Sequence, residues 1–566
     1  MSSNVTQEAN YFDQLHAEKY RDEGQSKRQH QSMMSINLGS HEHHIYELIQ
    51  ILKDERFLPA GRVQAALGAK DREVSAFNCS VSQPIKDNMD SIMDGVKNAA
   101  KILRLGTGIG FNFSHIRPQF DPIVKLKTKS SGPLSFMSIY NETAKIIASA
   151  GHRRGAMMAI MNVDHPDIFK FIDAKLAKGV YECFNFSVGI TKKFMEAVEQ
   201  DLDWDLKFKE KIYQTIKARE LWDKIMLNAY NSAEPGVVFL DRMNEYNNLW
   251  YCEKIEATNP CSEQPLPPYG LCLLGSFNLI KYFTNKGFNN ELLKEDVYTI
   301  VEAYDNIFNN AIYAIPEHKT EALNKRRIGI GYTGISNAIE YYLRTPSYGE
   351  TLFCEILDNA CRLLTIYAYE ASIELAKRRG PFPLFNRDKY IQSKFIQTLP
   401  KNLQESIYKY GIRNSHLISY APCGTISQAA GNISSGVEPI FYHAVDRQVY
   451  MKDGLIKVTL QDYMYREHGF KGKTLEDCTL QDHLNVMEVI QRHTDSAVSK
   501  TINVPSSISF EDYKQVYLDA YKLGAKGITV FRPTELRGAV ITSAKKGDDN
   551  PVEPRVSNCK DGVCVM

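Results

Sequence analysis

Ala156-Met157-Met158-Ala159-Ile160-Met161-Asn162-Val163, then Asp164-His165-Pro166-Asp167, then Ile168-Phe169-Lys170-Phe171-Ile172-Asp173-Ala174-Lys175 reads as one strand–turn–helix unit. A short apolar run bounded by turn residues is the mark of a buried strand. An aspartate cap with a proline in the first turn is a standard helix start, here predicting a helix over 168–175. The same alternation extends outward in both directions. Val180–Ile190, Pro235–Leu240, Gly329–Gly334 and Gly527–Phe531 read as strands. Ser91–Arg104 carries Ile92, Val96, Ala99, Ile102 and Leu103 on one helical side, and Leu221–Tyr230, Asp296–Tyr313 and Glu350–Arg379 also read as helices. Strand–helix alternation from about 57 to 530 predicts an α/β fold with a mostly parallel sheet or barrel.

The flanks differ. Residues 1–56 read as a helical N-terminal segment, with a periodic stretch His44–Lys53. The cluster His41-Glu42-His43-His44 lacks a ligand pair at a recognisable spacing, so it reads as a solvated helix entrance and no metal is expected. Lys545-Lys546-Gly547-Asp548-Asp549-Asn550-Pro551 is polar and turn-rich, and residues 540–566 read as a flexible tail after a 57–539 domain.

Composition narrows the function. The 566 residues carry 68 Lys+Arg against 67 Asp+Glu, a formal charge of +1. A dedicated nucleic-acid binder needs a basic excess to displace counterions, so none is expected. Uncharged stretches at Gln264–Ile280 and Leu417–Val437 are broken by proline, glycine and small polar residues, so neither predicts a membrane span. The first residues carry no basic-then-apolar signal, which predicts a cytoplasmic, reducing setting. Structural disulfides are then disfavoured, and the 11 cysteines need another explanation.

Three constellations stand out. In Asn259-Pro260-Cys261-Ser262-Glu263 the proline favours extended backbone, which projects side chains at n, n+2 and n+4 to one side. An amide, a thiol and a carboxylate then converge. A neighbouring carboxylate keeps a thiol protonated, suiting a hydrogen-atom donor better than a thiolate nucleophile. A plain structural loop is the competing reading. Ala421-Pro422-Cys423-Gly424-Thr425-Ile426-Ser427 is uncharged, rich in small donors, and an anion-binding candidate at a helix start or simply a loop. Cys559 and Cys564 end the predicted tail, where they read as a travelling redox pair. Cys272 follows Cys261 by eleven residues and Cys79 lies far upstream; spacing does not show whether Cys79 and Cys272 meet. Gly106-Thr107-Gly108-Ile109-Gly110 is glycine-rich but lacks dinucleotide-binding spacing.

The run from Asn259 through Cys272 to Leu279 resembles the active-site finger loop of ribonucleotide reductase catalytic subunits. Phe77-Asn78-Cys79-Ser80-Val81, Gly106–Phe111, Ser131–Met137, Arg153–Met158, Glu234–Phe239, Arg327–Gly331, Ala421–Ser427 and Ser496–Pro505 agree with that family and follow its order. The Cys261-to-Cys272 gap and Lys526-Gly527-Ile528-Thr529-Val530-Phe531-Arg532 are similar to class II, adenosylcobalamin-dependent members. The tyrosine pair of class I subunits is missing from Gly527–Pro533. Two alternatives remain: a class I-like subunit needing a separate radical-generating subunit, and a non-catalytic nucleotide-binding regulatory barrel.

The resemblance implies a ten-stranded α/β barrel with the 259–263 loop threaded through its centre. It casts Cys261 as the thiyl radical that abstracts the ribose 3′ hydrogen, Glu263 as base for the 3′-hydroxyl and Asn259 as a partner of the ribose hydroxyls. Cys79 and Cys272 become the reducing pair, regenerated by Cys559 and Cys564 with a thioredoxin- or glutaredoxin-like donor. Substrate contacts fall on Asn78 and on Pro422, Cys423, Gly424, Thr425, Ile426 and Ser427; Cys423 stands where the family pattern commonly has threonine. Asp87, His152 and Arg153 match the site for nucleotide effectors (dNTP or ATP) at a homodimer interface. No hundred-residue region precedes the barrel, so regulation of specificity without on/off control by dATP is expected. Cys183, Cys252, Cys354, Cys361 and Cys478 are left as packing.

Overall fold

Met157–Asn162 forms a strand and Ile168–Asp173 the helix after it, so the unit read from sequence is present. Its turn is built differently from the expectation. Asp167 stands at the N-cap without capping: its carboxylate accepts the Gln119 N–H at 2.6 Å and the Lys170 ammonium at 2.8 Å. Pro166 therefore precedes the helix instead of sitting in its first turn. The computed structural model describes residues 2–147, 156–176, 179–451 and 454–533.

Ten strands form the central sheet: β1 (Phe57–Pro59), β2 (Cys79–Val81), β3 (Gly108–Asn112), β4 (Met157–Asn162), β5 (Phe184–Ile190), β6 (Gly236–Phe239), β7 (Leu271–Asn278), β8 (Ile328–Thr333), β9 (Thr501–Asn503) and β10 (Gly527–Phe531). The order runs β1-β7-β2-β3-β4-β5-β6-β10-β9, and β8 pairs with β7. Strands β2 to β6 are mutually parallel, as are β7 with β8 and β9 with β10. The two sets meet antiparallel at β7–β2 and β6–β10. Apart from β1, which pairs antiparallel with β7, the sheet is thus two parallel sets running in opposite directions, each covered by helices as parallel sheets require. Beyond β8, bridges pair Ile330 with Ile418 and Tyr420 with Val498, linking that end of the sheet to the chain entering β9.

Side-chain alternation assigns the faces. Met157, Ala159 and Met161 of β4, with Phe184, Phe186, Val188 and Ile190 of β5, enter the core shared with the outer helices. Met158 and Ile160 point the other way, into a smaller cluster with Val81, Val238, Ala257 and Leu266. The inner face of the sheet therefore packs on residues 257 and 266, which belong to the finger loop. Helices Asn290–Asn310 and Thr351–Arg379 back the other half.

The N-terminal segment is helical as expected: Ser2–Tyr20, Lys27–Leu38 and Glu42–Lys53. His44 is buried, its Nε2 paired with the Thr299 carbonyl at 2.9 Å. Among the described residues no group of three His, Cys, Asp or Glu side chains is placed to hold a metal. None of their helices is long and apolar enough to cross a membrane.

Candidate active site

The finger loop is a hairpin. Ala257–Thr258 pairs antiparallel with Pro265–Leu266, and the residues between form its tip. The tip is turned rather than extended, which corrects the sequence expectation. Ser262 adopts φ 65°, its N–H meets the Asn259 carbonyl at 3.1 Å, and the Asn259 N–H meets the Gln264 carbonyl at 3.2 Å. A non-glycine residue in the left-handed region costs about 1–2 kcal/mol, held here by the hairpin's own bonds. The turn also separates the three groups by exposure: Asn259 and Glu263 are buried, whereas Cys261 is exposed at the tip.

Glycines in the sheet make room for this hairpin. A Cβ on Gly110 would lie 1.7 Å from the Thr258 carbonyl oxygen, and one on Gly108 would lie 3.0 Å from the Pro260 ring. On the opposite side, a Cβ on Gly329 would lie 2.6 Å from the Gln264 side chain. The Gly106–Gly110 stretch, weak as a nucleotide motif, thus serves close backbone approach.

Cys79 and Cys272 are direct partners across the antiparallel β2–β7 ladder. Residues so placed have Cα atoms about 4.5–5.5 Å apart, within the roughly 4.4–6.8 Å that a disulfide spans. Both are free, buried thiols with pKa values pushed well above 9.0, first by burial and then by the charge of Glu263. Asn259 donates its side-chain N–H to the Cys79 sulfur at 3.1 Å, while its side-chain oxygen accepts the Gln264 N–H at 2.9 Å. The charges of Cys261 and Glu263 both act on Cys79. The hairpin tip and the cysteine pair therefore share one small volume.

Glu263 is fixed through its backbone. Its carbonyl accepts the Ala497 N–H and the Ser419 hydroxyl, each at 3.0 Å. One carboxyl oxygen is buried with no hydrogen-bond partner among the described residues, and burial raises the carboxyl from 4.5 to about 7. Such a group exchanges a proton near neutral pH, as a general base requires. The side-chain oxygen of Asn78 is likewise buried and unpaired, an acceptor open to a ligand hydroxyl.

The 421–427 loop lies beside this volume. Ala421 packs against the cluster of Ala60, Cys79, Cys272 and Leu274. Helix Gly424–Ala429 starts there, and its first amides have no acceptor within the helix. The side chains turn inward, however. The Cys423 thiol lies 3.1 Å from the Ser276 hydroxyl and is pushed up to about 11 by burial. Ser427 bonds Thr333 at 2.8 Å and Ile426 packs on Tyr20 and Leu58; Pro422 alone is exposed. The Cys423, Ile426 and Ser427 side chains are thus buried away from the loop surface, while Thr425 is half-buried.

Asp87 is already engaged by Arg117, whose Nε lies 2.9 Å from a carboxylate oxygen. His152, Arg153, Cys559 and Cys564 lie outside the described residues. Of the cysteines read as packing, Cys183 and Cys361 are buried and Cys354 and Cys478 pack half-buried on the core. Cys252 departs from that reading, because it is exposed. Sequence reasoning missed Asn185, which reaches the hairpin tip, and the role of Lys526, quoted only as part of a motif. Lys526 is buried, donates to the Asp495 carbonyl at 2.7 Å and to the Ser496 carbonyl, and so braces the segment that holds Glu263. A polar residue inside an apolar strand was the available signal for Asn185.

A finger hairpin set against the sheet and facing a cross-strand pair of thiols is the arrangement that the resemblance to ribonucleotide reductases implied. The family profile described as "Ribonucleotide reductase, barrel domain" matches residues 77–531, most of the chain. The chain belongs to the ribonucleotide reductase family. A vitamin B12-dependent ribonucleoside-diphosphate reductase of Thermoplasma acidophilum is 34% identical over 91% of this chain and 68% of its own length. A protein of the same description from Mycobacterium tuberculosis (strain CDC 1551 / Oshkosh) is 34% identical over 81% and 68%. A vitamin B12-dependent ribonucleotide reductase of Streptomyces avermitilis is 25% identical over 83% and 59%.

Proposed function

We propose that the chain reduces ribonucleotides to 2′-deoxyribonucleotides with adenosylcobalamin as radical source. The observation that carries this reading is the register of Cys79 on Cys272 with the hairpin's Asn259 bonded to Cys79. The names of the two 34%-identical relatives support cobalamin dependence and diphosphate substrates. Adenosylcobalamin, when bound, supplies homolytic chemistry that a protein side chain cannot start by itself. The exposed Cys261 thiol would be the group on which that chemistry acts.

From there the chain's own residues do the work. The Cys261 radical takes the 3′ hydrogen. Glu263, raised to about 7, accepts the 3′-hydroxyl proton. Asn259 and Asn78 orient the ribose hydroxyls. Cys79 and Cys272 deliver two hydrogens, one to C2′ and one to the departing 2′-hydroxyl, so two S–H bonds and the 2′ C–O bond break while a C2′–H bond, an O–H bond of water and an S–S bond form. Glu263 then returns the proton to the 3′ oxygen and Cys261 returns the hydrogen to C3′, which restores its radical. The neutral state of both buried thiols supports hydrogen delivery over thiolate attack. The N–H groups of Gly424, Thr425 and Ile426 receive the phosphates. Cys559 and Cys564 re-reduce the pair with a thioredoxin-like donor. Effector nucleotides act through Asp87, His152 and Arg153 in a homodimer of the reducing cytoplasm.

Anaerobic assay of the isolated chain with a nucleoside diphosphate and a dithiol tests this. Turnover is expected only with adenosylcobalamin. Turnover that instead needs a second protein would overturn the class II reading.

A further inference from the structure

β5 is a strand of seven residues with one exposed position, Asn185; the other six are buried. Its alternate neighbours in the pleat explain where it points. Phe184, Phe186, Val188 and Ile190 enter the outer core, so Asn185 projects to the inner face. It pairs in register with Met158, which packs in the cluster around the finger hairpin. From that position the Asn185 side-chain N–H donates to the Pro260 carbonyl at 3.0 Å.

That carbonyl belongs to the peptide joining Pro260 to Cys261. The Pro260 ring also packs against Gly108, where an added Cβ would lie a tight 3.0 Å from it. After Cys261 the chain turns at once through the left-handed Ser262. Cys261 itself is exposed at the tip. The peptide before it is held by Asn185.

We propose that Asn185 is a positioning residue for Cys261: its amide pins the Pro260 carbonyl and so sets where the thiol stands relative to the substrate and the radical source. This rests on the reading of Cys261 as the radical carrier. A small misplacement of a reacting atom costs up to about a hundredfold in rate. Loss of the pin acts on the radical steps more than on nucleotide binding, because the phosphate loop lies on a different strand connection.

The full chain is tested as wild type, Asn185→Ala and Asn185→Asp. One readout needs no cofactor: iodoacetamide labelling of Cys261, followed by peptide mass spectrometry with exposed Cys252 as internal control. Labelling of Cys261 is expected to rise at least about threefold in Asn185→Ala, with Cys252 unchanged. The second readout is tritium release to water from adenosylcobalamin tritiated at its 5′ carbon, alongside kcat and KM. Exchange and kcat are expected to fall about 10- to 100-fold, with KM within about twofold. Asn185→Asp separates the roles. An ionised carboxylate of the same shape cannot donate and repels the carbonyl, so it should be worse than alanine. A packing role would make the isosteric aspartate the milder change, and that order would overturn the proposal. So would wild-type labelling and exchange in Asn185→Ala. If the wild type shows no exchange while labelling still rises, the radical reading of Cys261 is what fails.

Discussion

Replacing Glu263 with glutamine should stabilise the protein at alkaline pH while slowing turnover by orders of magnitude. The carboxyl is 1% exposed, one oxygen has no partner, and its pKa rises from 4.5 to about 7 on folding. In the unfolded chain it ionises near 4.5, so between pH 4.5 and 7 the unfolded chain sheds a proton that the folded chain retains. Folding stability from this group is therefore complete below 4.5, falls across that window and levels off above 7. At about 1.4 kcal/mol for each pH unit the loss is roughly 3 kcal/mol. Glutamine keeps the shape and has no charge to desolvate, so Glu263→Gln escapes the loss. For 566 residues the unfolding entropy is near 1.2 kcal/mol per degree at about 2.1 cal/mol/K per residue. The variant should then melt about 3 °C higher than wild type at pH 8, with no difference at pH 4.5. Thermal melts followed by far-UV circular dichroism across that range measure it. A variant less stable at pH 8, or an offset independent of pH, would refute the assignment of a desolvated carboxyl. Activity should fall with the base, by about 10²–10⁴-fold.

Two further outcomes follow from the site geometry. One turnover without external reductant should convert Cys79 and Cys272 into a disulfide, seen as a 79–272 cross-linked peptide; it should be missing in Cys272→Ser, and a pair left reduced after product forms would contradict the cross-strand dithiol as reductant. Gly110→Ala places a methyl 1.7 Å from the Thr258 carbonyl, which is backbone and cannot yield like a side-chain tip. The hairpin should be displaced and turnover lost by at least about a hundredfold with helix content retained; full activity would show that the hairpin is not seated against β3.

Much of the site was legible because its chemistry is local. Pro260 and the prolines after Cys261 mark an irregular segment, and Asn259, Cys261 and Glu263 lie within five residues of one another. The form of that segment was not legible. An extended reading took the period of two as given, whereas the tip closes on itself through Ser262, and hydrogen bonds to residues 419 and 497 hold Glu263 inside. Cys423 shows the same limit: its place in the loop was evident, but its inward turn onto Ser276 depends on a strand far away in the chain.

By itself the sequence determined the alternation of strands and helices, the helical N-terminal segment and the family, because side-chain periodicity and short motifs are properties of neighbouring residues. Only the tertiary structure decided that Cys79 faces Cys272, that Gly108, Gly110 and Gly329 leave space for the hairpin, and that Asn185 and Lys526 brace it. These are pairings between distant segments, fixed by strand register and by how closely two backbones can approach. Neither quantity is written in the spacing of residues along one chain.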